Sequence, residues 1–378
     1  MKILVYFADD LNKPTGSRIR CINLANSLAK YHDVYLAAPS IMNINGVKYK
    51  FVKIGRKYGM GKFLKYFNFF NTLRVVREVK PDLIYSFLDV SLPSMLIPAK
   101  LFKIPHFVEL HGLTVEEFSV KYNYYSKNGI IYIFLESIFK WMIRRTDYQL
   151  VGCLPLKNYY GGTLKNFTIM PPSINTNLFN SSVKPNKYIE KIKKNINKIV
   201  VTYAGNFSYY QGTDLLIEII KKLKDRNIDD FIFVIIGTTN EAFNKKIEEY
   251  HLKSEVIFIG LVPNNKVSSY LRASDVLLIP RLNIKTTQYA FPLKPLEYLS
   301  VGRCVIATKG WPHDELVQHM KYGLLADPNP EDFVEKLLLA KNKNLRHKLG
   351  MNAANMIKDK YSIDADIENL NSIFEKFN

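Results

Sequence analysis

The chain has 378 residues, 47% hydrophobic and 23% charged, a length that suits two hydrophobic cores better than one. Lys and Arg outnumber Asp and Glu by 53 to 34, and the resulting formal charge of +19 favours phosphates, nucleic acid or an anionic membrane surface as partners. Three scattered cysteines, Cys21, Cys153 and Cys304, have no C-x-x-C spacing, which argues against a disulfide framework or a cysteine-bound metal and suits a cytoplasmic setting.

In chain order, "MKILVYFA" turns polar at Asp9 and Asp10 and reads as a first strand rather than a signal peptide. The helix pattern Ser17–Tyr31 follows "KPTG", with Gly16 and Ser17 opening it and Arg18 and Arg20 in its first turn. Cations at a helix N-terminus oppose the macrodipole unless an anion sits between them. Arg18 is therefore a candidate for a substrate phosphate, and equally a solvated surface arginine.

After the strand Val34–Ala38, residues 56–80 set Arg56, Lys57, Lys62 and Lys65 among Phe63, Tyr66, Phe67, Phe69 and Phe70. That composition suits an anionic membrane interface as well as a core helix with a basic outer face. A strand at Asp82–Phe87, a helix at Ser91–Phe102 and a strand at His106–Leu110 continue the alternation of βαβ units. His111 ends that strand, and Glu109, two residues earlier on the same face, is placed to orient its imidazole.

The apolar stretch Gly129–Ile143 is interrupted by Glu136, Ser137 and Lys140 and is shorter than the roughly 20 residues of a spanning helix. No transmembrane helix is expected, and the face Ile131, Phe134, Leu135, Ile138 and Met142 reads as core rather than membrane-facing. The basic, weakly apolar residues 183–198 read as a linker. A first domain over 1–182, a second over 199–360 and a terminal helix over 361–378 that packs back on the first domain complete the expected organisation.

From Ile199 the alternation restarts, with strands Ile199–Gly205, Phe231–Gly237, Val256–Gly260, Val276–Pro280 and Cys304–Thr308 separated by helical patterns. Two parallel α/β sheets in one chain place ligands at the carboxyl ends of their strands. Gly205 follows a strand and Gly212 precedes a helix whose N–H groups could receive an anion; a purely geometric glycine turn is the alternative. In "TTQYAFPLKPLEYLSVGRCVIATKG", Pro292 stands ahead of a helix, so the amides of Leu293 and Lys294 form an anion pocket beside Glu297. A carboxylate there can accept hydrogen bonds from ribose hydroxyls, or simply complement the helix dipole. No G-x-x-x-x-G-K-[ST], H-E-x-x-H or G-x-S-x-G motif occurs, and Asp364 to Asp366 reads as part of the terminal helix rather than a metal site.

These residues resemble the GT-B glycosyltransferases, and more narrowly the retaining, sugar-nucleotide-dependent glycosyltransferase family 4, over essentially the whole chain. "FPLKPLEYLSVGRCVIAT" is similar to that family's Glu-x7-Glu motif, with Glu297 matching the second glutamate and Tyr289 standing where the first would be. "YAGNFSYYQG" resembles the turn that opens the family's second domain, and "ASDVLLIP" its small-residue-Asp strand.

The resemblance implies two Rossmann-like domains facing across a cleft. It implies that Glu297 binds the donor ribose and that the amides of Leu293 and Lys294 hold a phosphate. The family's basic pair falls near Asn206 and on Gln211, both uncharged, and Lys294 and Arg281 are the candidates to restore that charge.

The implied reaction moves a hexose from a nucleotide diphosphate to an acceptor hydroxyl with retention. His111 would lie beside the sugar, and Tyr289 or Gln288 would replace a carboxylate. No metal or other cofactor is implied. The expected partners are a nucleotide-sugar donor, a glycan or lipid-linked glycan acceptor and an anionic membrane surface, with no nucleic acid. The setting is cytoplasmic, peripheral at the inner face of the membrane. A non-catalytic glycosyltransferase-like subunit and a GT-B sugar-nucleotide epimerase are the competing readings.

Overall fold

The computed structural model describes residues 1–12, 15–40, 46–55, 68–122 and 129–377. The chain divides into two compact units. The first comprises Met1–Ser173, Tyr289–Phe291 and Ile363–Asn378; the second comprises Ile174–Gln288 and Pro292–Ser362.

In the first unit the described strands are β1 (Lys2–Phe7), β2 (Asp33–Ala38), β3 (Lys50–Lys53), β4 (Leu83–Phe87), β5 (His106–Leu110), β6 (Tyr148–Val151) and β7 (Phe167–Ile169). They pair in the order β3-β2-β1-β4-β5-β6-β7, and every pairing is parallel. Buried on both faces, β1 and β4 are nearly continuous apolar runs, as parallel strands covered by helices must be, while β5, equally buried, carries His106 and Glu109. The terminal helix Ile363–Phe374 belongs to this unit: Ile367, Leu370, Ile373 and Phe374 enter the core that holds Ile3, Val5, Leu24, Leu28 and Phe107.

The second unit repeats the plan with β8 (Ile199–Ala204), β9 (Phe231–Ile236), β10 (Val256–Gly260), β11 (Val276–Ile279), β12 (Cys304–Thr308) and β13 (Leu324–Ala326) in the order β10-β9-β8-β11-β12-β13. Its pairings are parallel throughout. Each sheet therefore reverses direction of progression once, between β1 and β4 in one unit and between β8 and β11 in the other. That reversal leaves a crevice at the carboxyl ends of the two strands.

Two details differ from the sequence reading. Residues 183–198 are not an open linker: Lys187–Ile196 is a helix of the second unit, capped by Asn186 and burying Ile189. Lys193 fixes it by donating to Asp275 Oδ1 at 2.8 Å, while Asp275 Oδ2 accepts from the amide of Val200. A short apolar period in a basic stretch suffices to form a helix when one ion pair ties it to the sheet.

The second difference concerns the helix Ile130–Ile143. It buries Tyr132, Phe139, Met142 and Ile143 and exposes Ile130, Ile131, Ile133, Phe134 and Trp141. Of the expected core face, only Met142 is fully buried. The segment is apolar nearly all round, so its periodicity could not select a face.

The turn before the helix Thr213–Asp225 shows how tightly the second sheet's crevice is closed. Gly212 has φ +71°, and a Cβ there would collide with the carbonyl oxygen of Pro280, just beyond β11. Gly212→Ala is expected to cost roughly 3 kcal/mol or more. Gly260→Ala, at φ +78° with nothing within 4 Å, should cost only about 1–2 kcal/mol. Denaturant midpoints of the two variants check the contrast.

Candidate functional site

The carboxyl ends of β8 and β11 in the second unit gather most of the residues marked from the sequence. The helix Leu293–Ser300 is aimed there by Tyr298, whose hydroxyl accepts from the amide of Ala204 at 2.6 Å and donates to its carbonyl at 3.0 Å. Ala204 is the last residue of β8, so this buried phenol bolts the helix to the strand. Pro292 precedes the helix in extended conformation, and no side chain caps the first-turn N–H groups. A helix start without a side-chain cap leaves donors for another acceptor.

Lys294 extends from that first turn over the β8 loop. Its Nζ donates to Gln211 Oε1 at 2.9 Å and to the Tyr203 hydroxyl at 3.3 Å, and it lies 4.3 Å from the centroid of the Tyr203 ring. The Tyr203 hydroxyl in turn donates to the carbonyl of Asn206 at 2.6 Å. Gly205 makes the approach feasible, because at φ +154° a Cβ would press on Lys294 Nζ and Cε. The space over Gly205 is thus filled by the end of the Lys294 side chain, and its positive φ favours glycine.

Arg281, buried just after β11, stands 5.9 Å from the Tyr210 ring centroid. Burial, with the charge of Arg281, pushes the Lys294 ammonium down to about 7, and Glu297 works in the opposite sense. Burial also pushes the Glu297 carboxyl up to about 7 against the pull of Lys294. Both side chains keep part of their area exposed. Two cations and a carboxylate are held together here where water solvates them poorly.

Sequence reasoning missed His313, 3% exposed. Its Nδ1 bonds the carbonyl of Thr308 at 2.8 Å, and burial, with the nearby charges of Arg281 and Lys294, pushes the imidazole down to about 4. The neutral ring donates through Nδ1 and leaves Nε2 as an acceptor with no hydrogen-bond partner. No motif marks it; only its place six residues after Ala307 of β12 could have.

In the first unit, Gly16, Ser17 and Arg18 form the first turn of the helix Gly16–Leu28, and Thr15 accepts from the Arg18 amide at 3.3 Å. The anion that this basic turn calls for is, for Arg20, internal. Arg20 Nε and Nη2 donate to Glu109 Oε1 at 2.7 and 2.5 Å. His111 Nε2 lies 2.6 Å from the same oxygen, an ion-pair approach without hydrogen-bond alignment.

Tyr289, counted with this unit, meets the Tyr159 ring edge-on at 5.2 Å, and its carbonyl accepts from Cys153 Sγ. Asp364 pairs with Lys30 at 2.9 Å and Asp366 accepts from Ser173, so these carboxylates are engaged in holding the terminal helix. Of the aromatic and basic run at residues 56–80, residues 56–67 lie outside the described residues. Phe69–Val79 is a helix burying Val75, Val76 and Val79 and exposing Phe70. Among the described residues no helix is long and apolar enough to cross a membrane.

Residues 185–356 match the family model described as glycosyl transferases group 1. The chain is 25% identical over 259 residues to an uncharacterized glycosyltransferase of Methanocaldococcus jannaschii, covering 66% of this chain and 64% of that protein. It thus spans less than two thirds of that relative. Among solved structures, sucrose-phosphate synthase from Thermosynechococcus elongatus superposes with a TM-score of 0.80 at 15% identity, over 99% of this chain and 98% of that one. Anabaena HepE in complex with UDP and glucose gives 0.79 at 15% identity over the whole of both chains. The fold is that of the GT-B glycosyltransferases, as the sequence implied.

The electrostatics of the site give a signed expectation. Glu297 has a folded pKa raised above its unfolded value, so between about 4.5 and 7 the folded state holds a proton that the unfolded state has lost. Stability therefore falls as pH rises through this window. Glu297→Gln should raise the Tm of the ligand-free chain at pH 8 and change it little at pH 4, measured by calorimetry across the range.

Proposed function

We propose that this chain, whose second unit carries a glycosyl transferases group 1 domain within a GT-B fold, transfers a hexose from a nucleotide-diphosphate sugar to an acceptor hydroxyl. One observation carries the reading: Lys294, Arg281 and the uncapped first turn of the helix Leu293–Ser300 converge at the carboxyl edge of β8 and β11, with Glu297 one turn along. Desolvated cations beside free amides suit a diphosphate, and a carboxylate beyond them suits a ribose. UDP in the similarly folded HepE makes uridine the first base to test.

In this reading the diphosphate is the leaving group. The bond from the anomeric carbon to the phosphate oxygen breaks, the acceptor oxygen bonds to the same face, and the acceptor proton passes to the departing diphosphate. Retention follows, as in glycosyltransferase family 4. Lys294, Arg281 and the amides of Leu293 and Lys294 stabilise the charge that develops, so the step needs no metal. His111 serves the hydroxyls of the sugar or the acceptor, and Tyr289 stands where a carboxylate would.

The acceptor is a lipid-linked glycan or glycolipid, and the chain works peripherally at an anionic, cytoplasmic membrane face. Support comes from the first unit's exposed Ile130, Ile133, Phe134 and Trp141, with Arg145 stacked 3.9 Å over the Trp141 ring and Arg144 exposed beside it. Apolar side chains among arginines match the headgroup region of an anionic bilayer.

Calorimetry with UDP, GDP, dTDP and their sugars tests the donor. One nucleotide should bind and stabilise the chain by about 2.7 kcal/mol at a hundredfold excess over Kd. Binding should survive EDTA, weaken strongly in Glu297→Ala and Lys294→Ala, and persist in Lys184→Ala. No binding by any of them overturns the reading in favour of a non-catalytic subunit. On the membrane side, sedimentation should show binding to phosphatidylglycerol vesicles over phosphatidylcholine vesicles, lost in Phe134→Ser/Trp141→Ser.

A further inference from the structure

Glu109 has one partner besides Arg20 and His111, and Arg20 has one besides Glu109. Tyr85, on the neighbouring strand β4, donates its hydroxyl to Oε2 at 2.6 Å. On the far side of Arg20, Nη1 stands 4.0 Å from Oδ2 of Asp366 in the terminal helix, and the same oxygen accepts from Ser173. Glu109 is fully buried, Arg20 is 5% exposed and the side chain of Asp366 is 16% exposed. These groups form one continuous chain, Ser173 to Asp366 to Arg20 to Glu109, ending at the half-buried imidazole of His111.

A core could be held without such an array, since buried ion pairs give little net stability over apolar packing. Its geometry has one outward-facing product. With Glu109 Oε1 2.6 Å from Nε2, a bare Nε2 would set its lone pair against a carboxylate oxygen, so the tautomer with the proton on Nε2 and Nδ1 as acceptor is the favoured one. Gly152 lies over that atom: a Cβ there would stand 3.3 Å from Nδ1, so the absence of a side chain keeps the approach open.

We propose that Glu109, Arg20 and Asp366 are positioning residues that fix the ring orientation and tautomer of His111, so that it presents Nδ1 to a substrate hydroxyl. The terminal helix, distant in sequence, thereby becomes a working part of the first unit's site. The role of His111 toward substrate rests on the glycosyltransferase reading; the control of its tautomer does not.

Nitrogen NMR of the full chain labelled with 15N-histidine, His111 assigned by loss of its signals in His111→Gln, reads the tautomer directly. The wild type should show a protonated Nε2 and a bare Nδ1. Glu109→Gln and Asp366→Asn should move the His111 nitrogens toward tautomer averaging, Asp366→Asn by the smaller amount. Lys30→Ala, which removes only the surface pair with Asp364 on the same helix, should leave them unchanged. Because Glu109→Gln could unfold the unit, Arg20→Met/Glu109→Leu/Tyr85→Phe removes the buried polar groups together and should fold.

In the folded variants turnover should drop roughly a hundredfold with donor affinity intact. Unchanged His111 signals in Glu109→Gln and in the triple variant overturn the proposal, as would equal shifts in Lys30→Ala and Asp366→Asn. A wild type that binds no nucleotide but shows the expected tautomer shifts would fail the glycosyltransferase reading alone.

Discussion

The second unit turns on a crowded pair of cations. Arg281 sits close enough to Lys294 to disfavour its charge, in a place where burial already does so. Glu297 offsets this only in part, because burial resists its own ionisation. A fold that holds like charges together without water carries a cost, and in the proposed reading the diphosphate offsets that cost when it binds. The backbone shows how far the arrangement is built in. The Lys294 side chain passes over Gly205, and the Pro280 carbonyl leaves no room for a side chain at Gly212. Tyr298 fastens the helix that carries Lys294 and Glu297 to the end of β8.

The first unit handles buried charge differently. The cationic first turn of the helix Gly16–Leu28 finds its anion inside the protein, in Glu109, whose carboxyl Arg20 and His111 hold far below the usual range against the opposing effect of burial. Asp366, reached from the same arginine, is pushed up to about 6 by burial, with Arg20 and Ser173 pulling it down. The hydrogen bonds of Arg20 and Tyr85 to Glu109 rigidify this part of the core. The chain of charges joins elements distant in sequence, since Arg20 belongs to the helix Gly16–Leu28 and Asp366 to the helix Ile363–Phe374.

Much of the fold was legible in the sequence because parallel strands are written as unbroken apolar runs. "ILVYFA", "IVVTYAG" and "CVIAT" emerge as β1, β8 and β12. Short or mixed strands such as Lys50–Lys53, Phe167–Ile169 and Leu324–Ala326 do not carry that signal and depend on their neighbours for pairing. The helix Ile130–Ile143 shows the opposite limit: too many apolar residues erase the period that would name its buried face. At the site, Pro292, Lys294 and Glu297 could be read because proline marks a helix start. Tyr298 and His313 could not, and Arg20 only as a cation in want of an anion, because each matters through a partner elsewhere in the chain: the backbone of Ala204, the charges of Arg281 and Lys294, and the carboxylate of Glu109.

The departures from the family pattern acquire a physical sense from this geometry. Where the glycosyltransferases that the sequence resembles carry a basic pair, this chain has Asn206 and Gln211, neither of them charged. Gln211 instead accepts from Lys294, and the Asn206 carbonyl accepts from the tyrosine on which Lys294 rests. Two neutral residues thus become the cradle for a charge delivered from the opposite wall by the helix Leu293–Ser300. Moving the cation to that helix puts it on the same turn as the free amides, so charge and hydrogen-bond donors arrive together. A single lysine with a desolvated ammonium is also easier to neutralise than a solvated pair, so in the proposed reading the hold on a leaving diphosphate is more sensitive to its protonation.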